Sequence, residues 1–428
     1  MASETKHGKG ARVSATVSED RALVAIRLPV WWTFGGLLAG LVAGSLLAGS
    51  GIEETVLSAT APIGTLWLRA LQMCIIPLVA ALLVLGIAQL MEAARAGATA
   101  RRMLGWMLAM LGISALLGVT LVPLLLDAFP VQAGASSFII DAQAEEQALP
   151  GVSDFLSSLI AANLVAAAAD TAMLPLTIFF ALFAVAAARL PAAQRDVLLN
   201  FFHALGNAML TIIGWVLWLA PVGVFALGLG VAVRAGGDGV FATLVHYILV
   251  VSSVGVAMLI VAYAVASLAG RLGPARFARG VLPAQAVAVS TQSSLASLPA
   301  MLDSANRLGL RSRTAEFVLP LAVAIFRVTS PGMNLAVAVY VGTLAGIDFT
   351  WPVLLAGLAI ALIISVGTVS LPGSISFVVS IGPIAAAMGV PIEPLVLLVA
   401  VEMLPDIVRT LANVTMNVAV TAAVDRDG

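Results

Sequence analysis

Charge is scarce in this sequence: of 428 residues only 10% are Asp, Glu, Lys or Arg, against about a quarter in a soluble globular domain. An ordinary soluble protein is excluded, because the long apolar runs have no polar outer face to turn toward water. Cysteine occurs once, as Cys74 within Leu71-Gln72-Met73-Cys74-Ile75-Ile76, which rules out a disulfide framework and a thiolate metal cluster. It reads as a small core hydrophobe. Lysine occurs only as Lys6 and Lys9, and the net charge is −1, so there is no basic surface for nucleic acid and no acidic tail. Walker loop, metal-ligand spacing and nucleophile elbow are also missing, so neither an ATP-driven pump nor a membrane hydrolase, nor any other enzyme, finds support.

What the chain does have is hydrophobic residues, 61% of the total, in stretches long enough to cross lipid as helices. One lies between Arg27 and Glu53 and opens with Trp31 and Trp32, which suit an interfacial aromatic belt. Others run from Glu54 to Glu92 (interrupted by Arg69), Arg102 to Asp127, Asp154 to Arg189 (interrupted by Asp170), Asp196 to Arg234, and Asp238 to Arg271. Basic residues stay cytoplasmic, and Arg12, Arg21, Arg27, then Arg95, Arg101, Arg102, then Arg189, Arg195, then Arg271, Arg276, Arg279 alternate as six spans require. The loop from Val131 to Val152, with Asp141, Glu145 and Glu146 and no basic residue, belongs outside. Residues 1–28 read as a cytoplasmic tail.

After residue 280 the alternation fails. Between Arg279 and Asp303 the apolar segment has a polar apex, Ser290-Thr291-Gln292-Ser293-Ser294, then Ser297-Leu298-Pro299, and both flanks are basic. This predicts a re-entrant helical hairpin whose tip is buried in protein or lines a cavity; a serine-rich kink in an ordinary span is the alternative. A second breaker cluster, Ser365-Val366-Gly367-Thr368 through Pro372-Gly373-Ser374, lies in the charge-free stretch from Asp348 to Glu393, with acidic flanks that suit entry from outside. Two such hairpins entered from opposite sides, each followed by a span, form the pattern of an inverted repeat with a midplane binding site.

The spans after the hairpins carry Arg327, and then Glu402, Asp406 and Arg409, at membrane depth, where ionisable groups are costly unless paired or functional. Glu402, Asp406, Arg409, Asn413 and Asn417 recur every three or four residues and share one helix face. Arginine holds a carboxylate through two parallel hydrogen bonds, and an aspartate one turn earlier can hold an ammonium, which points to an acidic amino acid. The alternative is that Asp406 and Arg409 pair only with each other. Asp170 and Arg69, with nothing polar around them, read as structural; His203 and His246 are open to proton carriage or simple packing.

These segments resemble the glutamate transporter family, the dicarboxylate/amino acid:cation symporters, over residues 30–424. Ser293-Ser294 with Ser297-Leu298-Pro299 looks like the tip of the family's first hairpin, and Ser365-x-Gly367-Thr368 with Pro372-Gly373 like the tip of its second. Asp406-x-x-Arg409-Thr410-x-x-Asn413 looks like the binding stripe of its last helix, and Met173-Leu174-Pro175 with Phe179-Phe180-Ala181 like its fourth-helix segment. The resemblance implies an all-α membrane protein of eight transmembrane helices plus two re-entrant hairpins, a homotrimeric elevator in which a transport domain slides against a scaffold. Scaffold helices would occupy 29–92 and 153–230, an extracellular loop 132–152, and the transport domain 103–131, 239–270 and 280–424. It also implies that Arg409 binds the side-chain carboxylate, Asp406 the α-amino group, and Thr410 and Asn413 the backbone carboxylate, with Ser293, Ser294 and the backbone around Gly367, Thr368, Pro372 and Gly373 closing over the substrate.

The departures concern the coupling ion. Where the family's seventh helix carries Asn-Met-Asp-Gly-Thr, this chain has Phe326-Arg327-Val328-Thr329-Ser330, and the family's lower sodium-binding aspartate is Asn417. Only a site made of backbone carbonyls around Ser365, Val366 and Thr368 could still hold sodium. Arg327 is expected to act as a tethered cation, since Arg327 and Arg409 (+2) balance Glu402 and Asp406 (−2), with Ser330 and Asn417 in the same charge-balancing region. Glu402, a carboxyl in apolar surroundings, is the expected proton carrier. The expected function is sodium-independent secondary transport of aspartate or glutamate, proton-coupled or by exchange, in the cell inner membrane with both termini cytoplasmic. Two alternatives remain: a C4-dicarboxylate transporter with Arg327 and Arg409 as twin clamps, and an uncoupled anion channel or substrate sensor. No cofactor is expected beyond protons or sodium as coupling ions, and the expected contacts are a small anionic substrate, membrane lipid and the other trimer subunits.

Overall fold

The structure, a computed structural model, describes residues 30–131, 160–170, 172–234, 240–367 and 373–427. Among these residues every regular element is an α-helix. Six helical runs are long and apolar enough to cross a bilayer, with shorter apolar helices beside them. The protein is thus a multi-pass α-helical membrane protein.

The first part comprises α1 (Val30–Leu47), α2 (Glu53–Gln72), α3 (Ile75–Arg95), α4 (Ala98–Ala128), α5 (Leu164–Ala169), α6 (Met173–Ala187), α7 (Ala192–Trp218), α8 (Ala220–Arg234) and α9 (Val240–Leu268). Three stretches that the charge pattern marks as single spans are broken helices. The break at Met73–Cys74 precedes Pro77, whose missing N–H leaves the Met73 carbonyl without its helical donor and whose ring crowds it. At the break at Leu219, Pro221 cannot donate to the Leu217 carbonyl, which takes the Leu219 N–H instead. The third falls at Asp170, which caps the end of α5, while Asn163 caps its start by accepting the N–H groups of Val165 and Ala166 at 2.9 and 3.2 Å. Asp170 thus ends a helix through its backbone, and its side chain is exposed.

Close backbone approach holds α1 against α8. Gly36, Gly40 and Gly44 recur every fourth residue and face Pro221, Phe225 and Leu229; a Cβ on Gly40 would press on the Phe225 carbonyl and sit 3.1 Å from the Leu229 nitrogen. Small residues at this spacing let helix backbones touch where no hydrophobic force drives association in lipid. Trp31 and Trp32, 73% and 77% exposed, stand at the start of α1 as an interfacial anchor does.

The second part contains two matching units. In the first, α10 (Pro274–Thr291) and α11 (Leu298–Leu308) pack against each other, and Arg276 near the start of α10 donates to the Leu308 carbonyl at the end of α11 at 2.7 Å. The chain therefore reverses at the serine-rich apex; it is a hairpin, and the kinked-span alternative falls. Gln292 turns the chain with φ 51°, and Ser297 donates to the Ser293 carbonyl at 2.8 Å. Then come α12 (Ser312–Ile325) and α13 (Ser330–Leu344), separated by an unwound segment at 326–329. In the second unit α14 (Trp351–Gly367) packs against α15 (Gly373–Ala387), followed by α16 (Glu393–Leu398), a break at 399–402 and α17 (Met403–Asp427). Each break precedes a proline. Pro331 cannot donate to Arg327, whose carbonyl takes the Ser330 N–H at 2.9 Å; Pro405 cannot donate to Val401, whose carbonyl takes that of Leu404 at 3.0 Å. Helix α9 packs along α17, and α4 packs on α13.

Candidate functional site

The two helix breaks put their charged residues into one buried cluster. Arg327, Glu402, Asp406, Arg409, Thr410, Asn413 and Asn417 are all buried, as is Ser330. Burial of this many polar groups is tolerable only if each finds partners or compensating charge. Glu402 stands just ahead of α17 in the break, yet its carbonyl accepts the Asp406 N–H at 2.9 Å, so it keeps the stripe's register by one further turn.

Arg409 is the centre of the cluster. Its Nη2 donates to Glu402 Oε1 at 2.7 Å, its Nη1 donates to Asn334 Oδ1 at 3.0 Å, and its Nε lies 3.4 Å from Asp406 Oδ1. The Asp406 contact is an ion pair without hydrogen-bond geometry, because Nε is left without a hydrogen-bond partner. Pairing confined to Asp406 and Arg409 is thus corrected: the strong partner is Glu402. Arg327, from the other break, interacts electrostatically with Asp406, Glu402 and Arg409. Two guanidinium groups and two carboxylates therefore share one buried volume, with a formal net charge of zero when all four are ionised.

A second set of bonds ties α17 to α13. Asn413 Oδ1 accepts both the backbone N–H of Thr329 at 3.0 Å and its hydroxyl at 3.1 Å, capping the start of α13. Ser330 Oγ accepts from Asn334 Nδ2 at 3.1 Å, which orients the amide oxygen toward Arg409. Tyr247 on α9 reaches Glu402 Oε2 at 3.5 Å. Farther along α17, Thr415 accepts from Gln285 of α10 at 3.0 Å, tying the first hairpin to the stripe.

Other residues singled out by the sequence fall less centrally. Ser293 Oγ accepts from the Ala296 N–H at 3.2 Å, a bond internal to the hairpin tip, and among the described residues neither Ser293 nor Ser294 bonds to the stripe. Thr368 and Pro372 lie outside the described residues, while Gly367 ends α14 and Gly373 begins α15. Ser365 and Val366 occupy the last turn of α14, where main-chain carbonyls have no intrahelical donor. The buried Ser365 hydroxyl has no hydrogen-bond partner among the described residues, nor has either amide atom of buried Asn417. Among the described residues no cluster of three His, Cys, Asp or Glu side chains forms. His246 packs against Tyr340, with Nδ1 3.1 Å from its hydroxyl, and His203 lines a separate cavity.

Sequence reasoning misses Asn334 and Tyr247. Asn334 is the one amide in the apolar run of α13, one turn after Ser330, and that spacing is a usable signal. Tyr247 leaves none, because its bond to Glu402 spans 155 positions.

The sequence profile of the sodium:dicarboxylate symporter family matches residues 30–427. The chain belongs to this family. Among curated members of the sodium:dicarboxylate symporter family, the proton/glutamate-aspartate symporter of Escherichia coli (strain K12) is 27% identical, with 90% of each chain covered. The proton/sodium-glutamate symport protein of Bacillus subtilis (strain 168) is 26% identical, covering 90% of this chain and 89% of its own length. The neutral amino acid transporter B(0) of Oryctolagus cuniculus is 28% identical, covering 94% and 81%. This chain is accordingly a transporter of the sodium:dicarboxylate symporter family, and the buried cluster is the candidate site at which it handles substrate.

Proposed function

We propose that the protein is a secondary active transporter of aspartate and glutamate that runs without sodium, coupled to protons or by exchange. It works as a homotrimer in the cell inner membrane, with eight spans, two re-entrant hairpins and both termini cytoplasmic, and residues 103–131, 239–270 and 280–424 move as an elevator against the scaffold helices. The observation that carries this reading is the charge-neutral cluster around Arg409, which needs no bound metal to balance it. The proton/glutamate-aspartate symporter of Escherichia coli, a relative over most of the chain, lends support.

Glu402 already occupies the guanidinium that a substrate carboxylate needs, at 2.7 Å. An acidic substrate binds Arg409 by displacing it. The displaced carboxylate, in a buried volume, takes a proton and keeps the Tyr247 hydroxyl beside it. One carboxylate is thus exchanged for another at Arg409 and one proton is taken up, so the charge of the cluster changes little through the cycle. Asp406 receives the substrate ammonium, Thr410 and the Asn413 amide group its backbone carboxylate, and the hairpin tips close over it. Arg327 stands in for the sodium ions.

Uptake of labelled aspartate, glutamate and succinate into proteoliposomes, with sodium replaced by choline and an inward proton gradient imposed, tests the reading. Robust aspartate uptake is expected; uptake that needs sodium would assign coupling to the carbonyl site near Ser365. The C4-dicarboxylate reading gains from the two buried guanidinium groups, and competition decides it: failure of aspartate and glutamate to displace succinate would favour it.

A further inference from the structure

A cavity of about 530 Å³, lined by none of the charge-cluster residues, lies between the end of α3, the α6–α7 turn and the start of α7. Its rim carries two cations and two anions, Arg95, Arg195, Glu92 and Asp196, and Leu85 and Leu199 line it one or two turns farther in. Arg95 is fixed by a bond from Nη2 to the Ala188 carbonyl at 3.4 Å, which leaves most of its fork for another acceptor. Arg195 is steadied by its neighbour Asp196 at 3.2 Å. Glu92 is exposed and, among the described residues, has no partner.

A simple anion would meet Glu92 and Asp196 as well as the arginines, and a simple cation would meet both guanidinium groups. A ligand bearing a phosphate and an ammonium a few bonds apart satisfies both signs, since guanidinium matches phosphate and carboxylate matches ammonium. Two features favour a lipid as its carrier. The cavity opens at helix ends, beside the loops carrying Arg95, Arg189 and Arg195 that the charge pattern assigns to the cytoplasmic membrane face. Its wall α7 is a membrane-length helix of which only 22% of the apolar window is buried, with Val197 and Phe201 exposed beside the rim residues, so acyl chains have an apolar flank to follow. We propose that this cavity holds a phosphoethanolamine group, carried as the headgroup of a zwitterionic phospholipid, with Arg95 and Arg195 on the phosphate and Glu92 on the ammonium. The site is independent of what the protein transports.

Native mass spectrometry of the full-length protein, incubated with equimolar phosphatidylethanolamine, phosphatidylglycerol and phosphatidylcholine, reads the preference directly. The expected result is about fivefold enrichment of bound phosphatidylethanolamine over phosphatidylglycerol, from charge-assisted bonds on both sides. Glu92→Gln, at an exposed position that the fold does not depend on, should reverse that preference toward phosphatidylglycerol, and Arg95→Gln with Arg195→Gln should bring all three lipids to equal retention. No enrichment in the wild type, or an enrichment unchanged by Glu92→Gln, overturns the proposal. A thermal shift in delipidated protein from millimolar free phosphoethanolamine or inorganic phosphate, equal to the shift given by the lipid, overturns the lipid as its source.

Discussion

Arg409 and Glu402 are seven residues apart and bonded at 2.7 Å, across the start of the last helix, with both side chains almost wholly buried. That single contact makes the guanidinium a site already occupied, and it changes what substrate binding must accomplish. Under the proposed function, a substrate carboxylate does not fill an empty clamp but replaces an internal one.

The first consequence concerns Glu402→Gln. The neutral amide cannot compete as a carboxylate does, so aspartate should bind about tenfold more tightly, in keeping with the loss of one charge-assisted bond. Proton uptake on binding should disappear with it, as measured by a pH-indicator dye during aspartate addition to weakly buffered protein. Unchanged proton uptake would assign the proton to another group.

Arg409→Lys tests the fork. A lysine keeps the charge but replaces a planar donor array with a point charge, which serves neither Asn334 and Glu402 together nor a bidentate carboxylate. The affinity for aspartate, followed by isothermal titration in detergent, should fall roughly 100-fold.

Arg327→Met removes one of the two positive charges and leaves the cluster at −1, with a carboxylate buried without balance. Transport should drop by at least about tenfold, given what an uncompensated buried charge costs. Initial uptake rates in sodium-free proteoliposomes measure this, and a rate equal to wild type would sink the tethered-cation role.

Gly40→Leu probes the fold and leaves the site alone. The new side chain would have to enter the backbone contact with Phe225 and Leu229, and overpacking of this kind costs about 1–3 kcal/mol. The melting temperature in detergent should fall by several degrees while aspartate affinity in the surviving folded fraction holds.

Much of this was legible in the sequence because the bilayer simplifies the reading: charge-free stretches, arginine placement and serine-rich apices mark the helices and the first hairpin. The stripe from Asp406 to Asn417 is legible for the same reason, through helical periodicity in an apolar background. The breaks are harder. Those at Met73, Arg327 and Val401 stand four residues ahead of a proline and that at Leu219 two ahead, so the signal is present, but prolines within membrane helices are common enough that it does not speak alone. Tertiary partnerships such as Tyr247 with Glu402, or Asn413 with Thr329, depend on which helices become neighbours, and nothing in the local sequence encodes that.

The zero-sum cluster also bears on how the chain is made. Arg327 emerges from the ribosome some seventy residues before Glu402 and Asp406, two carboxylates with which it interacts. A guanidinium at the centre of a membrane segment costs roughly 2.5–3.5 kcal/mol on insertion scales. Until α17 is synthesised, Arg327 lacks these two compensating charges. Completion of the charge-balanced cluster therefore depends on the C-terminal end of the chain, and truncation before residue 402 should lower the amount of stable protein recovered from the membrane.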